Sequence, residues 1–230
     1  MRTIKKVASH IFIDGFGGMT QGLFATLIIG TMIQQIGLLI GGSTGNVIYL
    51  LGKAAAALTS AGIGVGVAVK YGESPLVTVS AAVAAMVGGY AGKITGGTFF
   101  VDGNAVLAGP GEPLGAFIAA FAGITCGHLV SGKTKVDIIV TPVITIGAGS
   151  VVGLLVGPPI SQMMTGLGSI INWATEQRPF IMGIVVSVVM GMVLTLPISS
   201  AALGIILNLS GLAAGAATIG CCCNMVGFAV

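Results

Sequence analysis

Apolar runs of membrane-crossing length recur along this sequence, and almost no charge interrupts them. They fall at about residues 21–39, 47–69, 75–93, 114–130, 138–156, 180–196 and 201–219. A helix needs roughly 18–20 apolar residues to cross a bilayer core. Charged side chains make up 7% of the chain, against about 25% in soluble domains. Too few charges remain to cover a water-facing surface, so most of the surface faces lipid. The fold class follows: an all-α, polytopic transmembrane bundle of about seven or more spans. A membrane barrel would read as short alternating segments, and the sequence has none.

The runs are built from small residues. The chain carries 39 glycines, poor choices in a soluble helix but suited to close helix crossing in lipid. Rows at four-residue spacing include Ala81, Ala85 and Gly89; Gly149, Gly153 and Gly157; and Gly183, Ser187 and Gly191. Each row predicts a flat crossing face. Basic residues set the orientation. Arg2, Lys5 and Lys6 precede the first run, Lys70 follows the second, and Lys133 and Lys135 follow the fourth. With alternating spans these positions share one side, which the positive-inside rule makes cytoplasmic, with the N-terminus inside. No small-residue cleavage site follows MRTIKK, so the first run reads as a retained span in the cell membrane. The net charge of +3 belongs to loops and implies no nucleic-acid partner.

Between residues 160 and 178, Ile160, Met163, Met164, Leu167, Ile170, Ile171 and Ala174 repeat at helical spacing, with polar residues on the rest and Trp173 among them. That pattern predicts one amphipathic helix at the membrane interface. No linker, soluble domain or low-complexity tail follows. The ending CCCNMVGFAV lacks a polar tail, which implies either a buried last segment or a longer parent chain.

Catalytic signatures are absent: no nucleotide loop, no metal-ligand pairing, and no cofactor is implied. His10 and His128 are isolated and read as headgroup-level or packing residues. Cys126 and the consecutive Cys221, Cys222 and Cys223 read as packing residues, because neighbours on a helix diverge by about 100°. Two segments remain. Residues 95–117, TGGTFFVDGNAVLAGPGEPLGAF, are glycine-rich and longer than a turn needs. Such backbone survives at membrane depth only inside protein or lining a cavity. Asp102, Asn104 and Glu112 there suit recognition of hydroxyls. Asp-Gly and Pro-Gly turns in an external loop explain the same residues. In the second segment, TLPISSAALG (195–204), Pro197 with Ser199 and Ser200 interrupts an apolar run, and Asn208 follows. Broken spans of this kind hold substrate in transporters; a short hairpin between two spans is the plainer reading.

Two stretches carry a resemblance. PVITIGAGSVVGLLVGPPISQMMTGLGSIINWATEQRPFIMGIVVSVVMGM (142–192) resembles the later half of a phosphotransferase-system sugar permease, the IIC component, near the fructose-type branch. GEPLGAFIAAFAGITCGHLV (111–130) resembles the span before it. The whole chain is similar to a group of IIC-like proteins that includes regulators of perfringolysin-type toxin genes. The resemblance implies one EIIC-type transmembrane domain over residues 1–230, lacking part of the family's length, with re-entrant or broken segments. It implies a dimer that carries a sugar or similar polar solute by alternating access. Separate IIB and IIA components then do the phosphorylation, so the chain is at most the membrane part of a phosphoenolpyruvate-dependent phosphotransferase. A carboxylate accepting from substrate hydroxyls falls to Glu112, with Asn104, Ser199, Ser200 and Asn208 as neighbours. Where the fructose-type branch has an acidic turn, this chain reads LTLPISSAA. That departure keeps two rivals open: a membrane-embedded sensor that transports nothing, and an ion-coupled transporter.

In a cysteine-free background, Thr134→Cys in the basic loop should react with an impermeant thiol reagent only after the inner face is exposed. Labelling of intact cells would reverse the orientation.

Overall fold

The computed structural model describes residues 14–101, 104–105, 107, 109–193, 209 and 211–229. Helix α1 (Phe16–Ile40) carries a π-helical turn at Phe24–Ile28. Then α2 (Gly42–Ala57) and α3 (Thr59–Lys70) meet at Leu58 with a bend of 52°. Ser74 opens α4 (Pro75–Gly89), its Oγ accepting from the Val77 N–H, and Pro75 fits the first helical position because its missing N–H would have no partner there. The short α5 (Ala91–Thr95) leads to a hairpin of β1 (Phe100–Val101) and β2 (Asn104–Ala105), paired antiparallel. Four helices complete the described chain: α6 (Pro113–Val130), α7 (Asp137–Gln177), α8 (Pro179–Val193) and α9 (Gly211–Ala229).

This is an all-α membrane bundle. Among the described residues three helices are long and apolar enough to cross a bilayer, or four if α2 and α3 count as one broken span; α4, α8 and α9 are shorter apolar helices. The run at 75–93 thus ends its main helix at Gly89. The start of the run at 201–219 lies outside the described residues, as do His10, Asp102, Ser199, Ser200 and Asn208. The stretch at 160–177, expected as a separate amphipathic helix, continues α7 without a break, past Pro158 and Pro159. Its predicted end holds: the helix stops at Gln177 and Pro179 starts the next.

Contacts divide the chain into two compact units, up to Ile160 and from Ser161 onward. In the first, glycines set the helix spacing. A Cβ on Gly18 would lie 2.6 Å from the Gly66 carbonyl, and one on Gly22 would overlap the Gly62 carbonyl. Gly30 meets Gly52 in the same way, and Gly37 meets Gly45 and Tyr49. Thus α1 lies backbone-to-backbone on α3 at one end and on α2 at the other. The row Gly149, Gly153, Gly157 seats α7 against Ala119, Gly88 and Ala91. In the second unit, Val186, Met190 and Ala217 form a small core between α8 and α9. Ser187 abuts Gly220, while Gly183, the first of its row, has nothing within 4 Å. Asn224 donates to the Gly191 carbonyl at 2.6 Å. Cys222 and Cys223 are exposed and all described cysteines are free.

The basic end of the first unit is tied by polar side chains. His128 Nδ1 lies 2.9 Å from the Glu73 carboxylate, and the Ser74 and Ser131 hydroxyls pair at 3.1 Å. Lys133 Nζ donates to the Leu129 carbonyl at 2.7 Å, where a helix end favours a cation. In the turn before α4, burial and then the charge of Asp14 push the Tyr71 hydroxyl up to about 12.

Gly22→Ala should lower thermal stability in detergent by about 1–3 kcal/mol, as expected of overpacking. Gly147→Ala, where nothing lies within 4 Å, should leave it unchanged. Equal melting temperatures for both would contradict the packing account.

Candidate functional site

Five interruptions of regular helix lie near one another in the first unit. The π turn of α1 packs through Thr26 on Gly62, just past the break at Leu58. Beside that break, α4 ends at Gly89. The chain then returns through 109–112 to start α6. Finally, Gly157 of α7 touches Ala91 and Gly88. Pro158 and Pro159 follow it, and having no N–H they leave the Leu154 and Leu155 carbonyls without intrahelical donors.

Hydrogen bonds knit these ends together. The Tyr90 hydroxyl lies 3.2 Å from the Ala57 carbonyl, the last of α2, and closer still to the Gly109 carbonyl. Ser60 Oγ donates to the Pro110 carbonyl at 2.9 Å. Glu112 N–H donates to the Gly89 carbonyl at 2.6 Å. Tyr90 and Ser60 are fully buried. Gly111 holds the return in place: its φ is +76°, and a Cβ there would lie 2.5 Å from Ser60 Oγ. Only glycine satisfies both conditions.

Glu112 sits at the N-cap of α6 with Pro113 in the first turn, as the sequence suggested. Its side chain does not close a cap hydrogen bond. Instead Oε1 is shielded from solvent with no hydrogen-bond partner. A helix N-terminus stabilises a carboxylate by about 0.3–1 kcal/mol. The helix dipole favours a carboxylate at this position but supplies no partner for the shielded oxygen. Ser150 Oγ on α7 is the other buried polar atom without a partner among the described residues.

Of the residues the sequence put forward, Glu112 lies among the helix ends. Asn104 lies instead in the exposed hairpin strand. Ser199, Ser200 and Asn208 lie outside the described residues. His128 pairs with Glu73 at the basic end, in keeping with a structural role. Sequence reasoning passed over Ser60, Tyr90 and Gly111. The signals were there: Thr59-Ser60 in mid-run before a glycine, and Tyr90 after Gly88-Gly89. Among the described residues no group of acids, histidines or cysteines could hold a metal ion.

Residues 13–230 match the protein family described as Phosphotransferase system, EIIC. No curated protein and no solved structure is similar enough to add a relative. The match spans nearly the whole chain, and the chain belongs to that family. It is a membrane-embedded, permease-type component of a phosphotransferase system.

Tyr90→Phe removes the hydroxyl that lies against the Ala57 and Gly109 carbonyls. Stability should fall by about 0.5–1.5 kcal/mol, the net worth of such a hydrogen bond. Protease cleavage within 96–112 should rise in parallel. Unchanged melting and cleavage would mean that Tyr90 does not tie the return to the break.

Proposed function

We propose that this EIIC-family chain binds a sugar or similar polar solute among the converging helix ends, with Glu112 accepting a hydrogen bond from a substrate hydroxyl. The observation that carries this reading is the shielded Glu112 Oε1, which lacks any donor inside the described protein. A substrate hydroxyl supplies that donor. The surrounding hydrogen bonds fix the backbone that carries Glu112 before substrate arrives, so little main-chain ordering remains to be done on binding.

Depth supports the same reading. From Lys70 to Ser60, α3 rises about 15 Å, and from Pro75 to Gly89, α4 rises about 21 Å. A bilayer core is about 30 Å thick. With the basic end at the cytoplasmic surface, α4 stops short of the far side. The half-buried return at 109–112 then lies within the membrane, tied to the protein by its hydrogen bonds to Tyr90, Ser60 and Gly89, as non-helical backbone there requires. Broken helices with ends facing one another are a common transporter site. Alternating access would move one side of this junction against the other, within a homodimer and in concert with separate IIB and IIA components.

Purified protein in detergent, screened against a panel of monosaccharides and hexitols by thermal shift, tests the reading, since a ligand stabilises by mass action. At least one member should raise the melting temperature of the wild type. Glu112→Ala should weaken that binding at least tenfold, the loss of about 1.4 kcal/mol. An equal response from Glu112→Ala would remove Glu112 from the site. Binding without uptake into liposomes, with IIB present, would favour a sensor.

A further inference from the structure

The Glu112 carboxyl has few donors around it. The carbonyls of Gly89, Gly109 and Pro110 line the return, and their donors are the Glu112 N–H, Tyr90 and Ser60. Leu114 N–H approaches the carboxyl, and Oε1 has no donor. Among the described residues no ion pair joins a cation to Glu112. On α3 the one ionisable residue is Lys70, at the opposite end; α4 has none. Lys93 of α5 lies over the Tyr90 ring, 5.3 Å from its centre. Cys126 and His128 lie at the far end of α6, and Asp137 begins α7 at that end too. Tyr49 and Lys53 of α2 precede its break by a turn or more, and no ion pair joins either to Glu112. Asp14 lies just before α1, near Tyr71 at the basic end.

An ionised carboxylate only accepts, with about four lone-pair sites to satisfy. With one N–H in reach and Oε1 shielded from solvent, the sites on Oε1 would go unmet. A carboxylic acid needs far less and offers a donor as well. Resting on the reading that Glu112 is the binding site, we propose that Glu112 is held as the neutral acid and takes its ligand in that form. The acid gives one O–H to a ligand hydroxyl oxygen and accepts that ligand's hydroxyl hydrogen at its C=O. A sugar hydroxyl, both donor and acceptor, complements such a group. Binding is then proton-linked: full at low pH, and weakening as rising pH strips the proton.

Infrared difference spectra of ligand-free protein, wild type against Glu112→Gln, test the protonation without any ligand. An acid C=O stretch belonging to Glu112 should be present at neutral pH and convert to carboxylate bands on alkaline titration. Carboxylate bands at neutral pH would overturn the proposal. The panel sugar that most stabilises the wild type then tests the linkage. Its affinity should fall about tenfold per pH unit above that titration. Glu112→Gln, a neutral donor and acceptor, should bind within about threefold of the acid form at every pH, and Glu112→Ala should not bind. Wild-type affinity that ignores pH, or a Gln variant as poor as the Ala variant, would also overturn it. If no panel sugar binds any form, the sugar-binding reading fails, and the infrared bands still decide the state of Glu112.

Discussion

Backbone-to-backbone contact between glycines is the constraint from which the first unit is built. Between helices in lipid, apolar side chains gain nothing from leaving water, so close packing must supply the attraction. Gly18 and Gly22 on α1 face Gly66 and Gly62 on α3, and Gly30 and Gly37 face Gly52 and Gly45 on α2. A single Cβ at Gly22 would overlap a main-chain carbonyl, and a carbonyl cannot rotate aside as a side-chain tip can. One helix is thereby held along both halves of a bent pair, and the bend at Leu58 is fixed between them.

That bend makes the junction possible. It places the last carbonyls of α2 and the start of α3 beside the end of α4, where the return at 109–112 fits. Non-helical backbone in such a place needs partners inside the protein. Tyr90, Ser60 and the Glu112 N–H supply them. Once those bonds are made, the carbonyls near Glu112 are satisfied and its own Oε1 is not. The proposed site is thus what remains after the backbone has been provided for: one carboxyl with a shielded oxygen that no described donor reaches.

The fold class and the four-residue rows were legible because lipid imposes them on composition and spacing. So was the start of α6, since Pro113 after Glu112 is a helix-opening pair. The breaks were harder to see. A hydropathy run counts apolar residues and is blind to a bend at Leu58 or a stop at Gly89, because neither changes composition. Ser60 and Tyr90 looked like ordinary polar interruptions; their role depends on partners 50 and 19 residues away. Asn104 was grouped with Glu112 by proximity in sequence, but the two-stranded hairpin carries it into an exposed strand. The continuity of α7 past Pro158 and Pro159 also ran against a local rule, since proline usually ends or kinks a helix.

The depth of Glu112 decides the account most directly. A cryo-electron-microscopy structure of the protein in lipid nanodiscs would locate its carboxyl against the two headgroup layers. The account predicts Glu112 inside the hydrocarbon layer, beside Ser60, Gly89 and Tyr90, with the 109–112 return bonded to them. Glu112 at headgroup level, in a loop open to water and bonded only to the α6 N-terminus, would contradict it and leave the acid as a cap.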